Sequence, residues 1–222
     1  MATRAAKKTS TATLRRPRTR QTGADAETSE RLLSAGERLF AQYPFDEVSI
    51  DDIAEAAGVA HGLLFHYFKT KRHFLLAVTR RAAERVDAAH LSVPPQATSE
   101  AAVRAFLKSH IDSVSSRRVS FIGNSRGGAG VDAEVKAVWE ESRRRAIHLL
   151  CGYLEIEAPT PKLHALIRAW IGFIDELLIA WIQHPEIGEQ PLIDTSVANL
   201  RTTLANYALI DPGVKLVMRR PL

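Results

Sequence analysis

A single cysteine, Cys151, is all that the chain offers for disulfide chemistry. No intrachain disulfide framework can form, which suits a reducing cytoplasm, and Cys151 is expected to be a small core hydrophobe rather than a nucleophile. Long apolar runs are missing as well. No stretch of eighteen apolar residues occurs, so no membrane span is expected. The opening MATRAAKKTSTATLRRPRTR is basic but lacks an apolar centre, so it is not read as a secretory leader. Two-residue alternation of apolar and polar side chains, the mark of a half-buried strand, is nowhere convincing. Catalytic signatures are equally scarce. There is no HExxH motif, and the eight histidines form no recognisable metal set; His61 and His66, five apart, do not share a helical face. The stretch GNSRGGAG lacks the lysine–hydroxyl ending of a phosphate loop and reads as a connection. No cofactor, no metal site and no enzyme activity are expected.

Charge of one sign is absent locally rather than globally. The net charge is +5, yet the first twenty residues hold seven Lys or Arg and no acid, leaving 23 basic against 25 acidic residues in the rest. The basic excess is therefore a tail, able to lie along a phosphate backbone or simply to aid solubility.

What the chain has in quantity is helical periodicity. Leu32, Gly36, Leu39 and Phe40 share one helical face from about Ser29 until Tyr43-Pro44-Phe45 breaks the pattern. SIDDIAEAAG follows, with Ser49 as an N-cap, Asp51 and Asp52 in the first turn, and Gly58 ending the helix with positive φ. A short third helix runs from about Ala60 to Tyr67. Thr70 caps a fourth that persists to His90, and LSVPPQATS stops it. A stripe after Ser99, a shorter segment near Val119 to Ile122, a long helix to Tyr153, a wide stripe from Leu163 to Ile182 and a last helix from Thr195 to Leu209 complete an all-α chain of about nine helices.

Short helix, glycine-led turn, short helix is the pattern of a helix-turn-helix. Ile53, Ala54, Val59 and Leu64 would join the two helices. Ala60, His61, Leu63 and His66 would face a DNA groove, and Gly62 would let backbone come close. Ser49, Tyr67, Lys69, Thr70 and Lys71 complete the candidate DNA-binding set, the lysines suiting phosphates. Ala60 to His73 carries three Lys or Arg, three His and no acid, whereas Glu30 to Glu55 holds seven acids against two Arg.

Residues 29 to 80, LLSAGERLFAQYPFDEVSIDDIAEAAGVAHGLLFHYFKTKRHFLLAV included, closely resemble the N-terminal domain of the TetR family of bacterial transcriptional regulators. The spacing of Phe40 and Phe45, DIAEAAGV and FHYFKTK carry the likeness as a set. Relatives commonly place Ser or Thr before a basic residue, then Gly-Thr-Leu-Tyr. Here Ala60 lacks the hydroxyl, Leu63 replaces a polar residue and Phe65 a tyrosine. The resemblance implies a homodimer, a TetR-like three-helix head on double-stranded palindromic operator DNA, and a ligand-responsive bundle that releases the operator. Residues 1–28 are then a disordered basic tail, 29–75 the DNA-binding domain, 76–212 the ligand-binding and dimerisation bundle, and 213–222 a C-terminal tail. Phe106, His110, Phe121, Ile122, Arg126, Trp139, Leu149, Trp170 and Phe173 are candidates for lining the pocket, and their apolar character points to a hydrophobic small-molecule effector. Of Asp175 and Glu176, which interrupt the apolar helix, one is expected to turn inward. Leu166, Trp170, Ile174, Leu177, Trp181, Leu200 and Leu204 are the candidate dimer interface.

Overall fold

A computed structural model describes residues 19–125, 133–156, 158–214, 216 and 222. Among these, nine α-helices carry the fold: α1 Thr19–Gln42, α2 Ile50–Ala57, α3 Gly62–Phe68, α4 Lys71–Leu91, α5 Ser99–Ser115, α6 Arg118–Ser125, α7 Ala133–Tyr153, α8 Pro161–Gln183 and α9 Glu189–Ala205. Short 3₁₀ turns at Phe45–Glu47, Pro185–Ile187 and Tyr207–Leu209 punctuate them. No described residue lies in a strand.

Four helix starts are set by a single hydroxyl. Ser49 accepts the amide of Asp52, and Asp52 returns the bond to the Ser49 amide, closing a capping box on α2. Thr70 accepts from the His73 amide at α4, and Thr160 accepts from the Leu163 amide at α8, with Pro161 in the first turn. The periodicity misplaces three boundaries. α1 begins at Thr19, so ten residues assigned to the tail are helical; residues 1–18 lie outside the described chain. α5 is capped by Thr98 rather than by Ser99, whose own side chain is buried. α9 starts at Glu189 instead of Thr195 and yields to a 3₁₀ turn at Tyr207.

Two apolar cores result. In the head, Leu32, Phe40, Ile53, Leu64 and Phe74 bury together, with the Phe68 and Phe74 rings edge to face at 5.0 Å. Gly36 makes this crossing possible, because a Cβ there would fall 2.5 Å from Phe74 Cζ. The larger core collects α5, α7, α8 and α9 around Leu107, Leu150, Ile167, Trp170 and Leu200. α4 serves both cores: Phe74 and Val78 pack in the head, whereas Val86 and His90 reach the bundle. Ion pairs brace it. Glu37 of α1 meets Arg85 at 2.9 Å and Arg81 at 3.4 Å, Asp87 meets Arg145 of α7 at 2.6 Å, and Arg72 meets Glu134 of α7 at 2.8 Å.

Candidate nucleic-acid interface and effector cavity

α2 and α3 are held by their ends. Gly58 takes φ 62°, a conformation that suits glycine, and its amide returns to the carbonyls of Ala54 and Glu55. Arg31 of α1 then donates to Ala57 O at 2.7 Å and to Gly58 O at 2.6 Å, while Arg38 donates to Ala56 O at 3.1 Å. The two arginines of the acidic stretch are thus spent on the carbonyl end of α2, where the helix dipole favours a cation. α3 is fastened mainly through Leu64, which is fully buried.

The candidate DNA residues divide into free and committed groups. Ala60, His61, Gly62, His66, Lys69 and Thr70 are exposed, and the space where a Cβ on Gly62 would point is open. Leu63 and Tyr67 are half-buried. Several polar tips already have partners. Ser49 Oγ is held in its capping box, and Thr70 Oγ1 takes the His73 amide. His61 Nδ1 donates to Asp51 Oδ1 at 2.5 Å, and the Tyr67 hydroxyl donates to Asp25 at 3.0 Å. Lys71 departs most from expectation: its ammonium donates to Phe45 O at 2.9 Å and lies 4.2 Å from the centre of the Phe45 ring. It helps to hold the Phe45 turn against α4. Phe65 is 42% exposed beside His61, so the outer surface of α3 is a His–Phe–His patch flanked by Lys69.

Inside the bundle, a small cavity of about 70 Å³ lies among α4, α5, α6, α7 and α8. Phe106, His110, Phe121 and Trp139 line it, as the sequence suggests. Ile122, Leu149, Trp170 and Phe173 do not; Trp170 instead fills the core and donates Nε1–H to Ser196 O at 3.0 Å. Arg126 lies outside the described residues. Four polar lining residues were missed, His90, Arg117, Ser142 and Arg143, and Asp175 joins them in reaching the space. Of the acidic neighbours on α8, Asp175 is buried against Arg143 Nη2 at 3.0 Å and Glu176 faces out. Burial pushes the Asp175 carboxyl up against the pull of Arg143, lowers His90 to about 3 and lowers His110 to about 4. His90 was legible as the next step in Val78, Ala82, Val86, a stripe repeating every four residues. Beside the cavity is a wider cleft of about 500 Å³ between head and bundle, and Val86, Arg117 and Trp139 wall both spaces.

This geometry has relatives. The model of the bacterial regulatory proteins of the tetR family matches residues 32–78, and a tetracyclin repressor-like C-terminal domain model matches residues 95–210. The chain belongs to the TetR family. It is similar to the regulator EthR of Mycobacterium tuberculosis, 26% identical over 190 residues that cover 80% of this chain and 86% of EthR. A second M. tuberculosis protein, the transcriptional repressor Rv1474c, is 32% identical over 57 residues, 26% of this chain and 30% of that one. A tetR-family regulator from Streptomyces coelicolor has a similar structure, with a TM-score of 0.77, 26% identity and 84% of each chain covered. The protein is thus a helix-turn-helix transcriptional regulator of the TetR family and not an enzyme.

Of the TetR-type dimer face read from the sequence, four side chains are spent elsewhere. Trp170, Ile174, Leu200 and Leu204 are buried in the subunit's own core. Leu166, Leu177 and Trp181 are partly exposed and share the outer side of α8 with Phe173. Among the described residues no helix is long and apolar enough to cross a membrane.

Proposed function

We propose that the protein is a cytoplasmic, homodimeric repressor that leaves a palindromic operator when a small, mostly apolar molecule enters the bundle cavity. One observation carries the ligand response: Arg117 and Trp139 form a wall common to that cavity and to the head–bundle cleft, with the guanidinium 5.5 Å from the indole. A ligand that displaces Trp139 moves a surface on which α1 and α4 rest. Glu37 of α1, paired with Arg85, lines the same cleft, so the shift reaches the helix whose arginines clamp α2. Closed cores respond to such an insertion by switching between packings rather than by flexing smoothly. Each head then presents α3 to one half-site, and the two-fold axis of the dimer fixes their spacing.

A salt-dependent gel shift against the DNA flanking the protein's own gene tests this reading. Specific binding that weakens as salt rises, and is abolished by a ligand that raises the melting temperature, is the expected result. A folded dimer without specific binding at low salt refutes the operator; a bound ligand that leaves DNA affinity unchanged refutes the release.

A further inference from the structure

We propose that the bundle cavity takes a compact apolar molecule ending in a carboxylate, received by the N–H groups of His90, His110 and Trp139 and by the Arg117 guanidinium. The inference rests on reading that cavity as the effector site and names the chemistry it selects.

Four buried nitrogens without a hydrogen-bond partner belong to residues lining this one space: both ring nitrogens of His90, Nδ1 of His110 and Nε1 of Trp139. His90 is 2% exposed, with its ring 4.3 Å from that of Phe106 and 5.4 Å from that of His110. An indole N–H can only donate, and each neutral imidazole donates from one nitrogen. Unpaired buried donors are costly, so the matching guest brings acceptors.

Charge narrows the choice. Asp175 is the one carboxylate lining the cavity among the described residues, and Arg143 already holds it. Arg117 has no carboxylate within 4.0 Å among the described residues; its Nε donates to Ser113 O at 3.1 Å and its plane faces Trp139. The lining therefore carries Arg117 and Arg143 against Asp175 alone, with both histidines kept neutral by burial. An ammonium would meet two guanidiniums and compete for Asp175. An alcohol could give its proton to the acceptor nitrogen of a neutral imidazole, but it brings no charge to set against Arg117. A carboxylate accepts from several donors at once and neutralises Arg117. Val86, Phe106, Leu107 and Ile171 surround the rest with hydrocarbon, and at about 70 Å³ the space takes a single ring only by displacing lining side chains such as Trp139.

The test uses the full chain and three probes of one shape: phenylacetate, isobutylbenzene and 2-phenylethylamine. Calorimetry is expected to give phenylacetate at least roughly tenfold tighter binding than either of the others. His90→Phe and Trp139→Phe, which keep a ring in place but remove a donor, are each expected to reduce the preference of the acid over isobutylbenzene several-fold; if one variant fails to fold, the other decides. Equal affinities, a preference for the amine, or no binding of the acid at about 10 mM overturns the proposal. Operator release is read separately by fluorescence anisotropy. An acid that binds with the expected preference but leaves DNA bound refutes the effector reading alone. Release by isobutylbenzene as effective as by the acid refutes the carboxylate alone.

Discussion

His66 and Phe65 show how much a single side chain on α3 decides. Among the described residues the His66 side chain has no hydrogen-bond or ion-pair partner, and both it and Phe65 are exposed, whereas Tyr67 and Lys71 are tied to Asp25 and Phe45. We expect His66→Ala to weaken operator binding by about tenfold, the cost of one base or phosphate contact, with sizing chromatography still showing the parental oligomer. A similar loss from Lys71→Ala should come with a lower melting temperature, because that ammonium supports the Phe45 turn. In the bundle, His90 and His110 make stability depend on pH. Their folded values, about 3 and about 4, lie below the ordinary 6.5. The unfolded chain therefore takes up protons first as pH falls. The stability of the neutral histidines is fully present above pH 6.5 and is lost on the way down, at roughly 1.4 kcal/mol per histidine per pH unit. The groups facing them are Asp87, Asp175, Arg117 and Arg143; Asp175, with its raised carboxyl, offsets part of the loss. Urea midpoints at pH 7, 6 and 5 should fall, and His90→Phe should flatten the slope by about half.

At the scale of the element, α2 and α3 are too short to be helical alone and depend on their fastenings. Arg31 is the principal one, with both its Nε and Nη2 on the carbonyl end of α2. Arg31→Ala is expected to cost about 1.5–3 kcal/mol in the head and to weaken DNA binding without touching DNA, because α3 loses its platform. Hydrogen exchange localised to α2 and α3 would register the change; protection equal to the parent would contradict it. The caps of these elements were readable beforehand. Ser49 with Asp52, Thr70 and Gly58 act on amides or backbone angles a few residues away, so sequence proximity suffices. Arg31 and Arg38 were counted among acids but not placed, since their acceptors lie 26 and 18 residues along the chain. Lys71 was assigned to phosphate for the same reason: nothing local announces the Phe45 carbonyl.

The whole molecule joins a helix-turn-helix head to a helical bundle through α4 and the wall of Arg117 and Trp139. Self-association is the remaining requirement for reading a palindrome. In the proposed dimer the expected seat is the outer side of α8, where Leu166, Phe173, Leu177 and Trp181 are only partly covered. Leu177→Arg is expected to yield a folded monomer whose operator affinity falls at least roughly a hundredfold, as two linked half-sites become one. Light scattering checks the mass and circular dichroism the fold; a dimer that persists would move the interface elsewhere.

Periodicity, capping residues and the aromatic spacing of the head determined that this chain is all-helical, that it carries a helix-turn-helix, and where most helices start. Those properties arise between residues within a turn or two of one another. The tertiary structure alone decided which side of α8 fills the core, which histidines border a cavity, and which cations near α3 remain free. Helical stripes with two apolar sides do not say which side meets its own bundle. A donor's partner across the fold is fixed only when distant helices pack, and this placed His90, Arg117 and Asp175 around one small space while tying Lys71 to the Phe45 carbonyl.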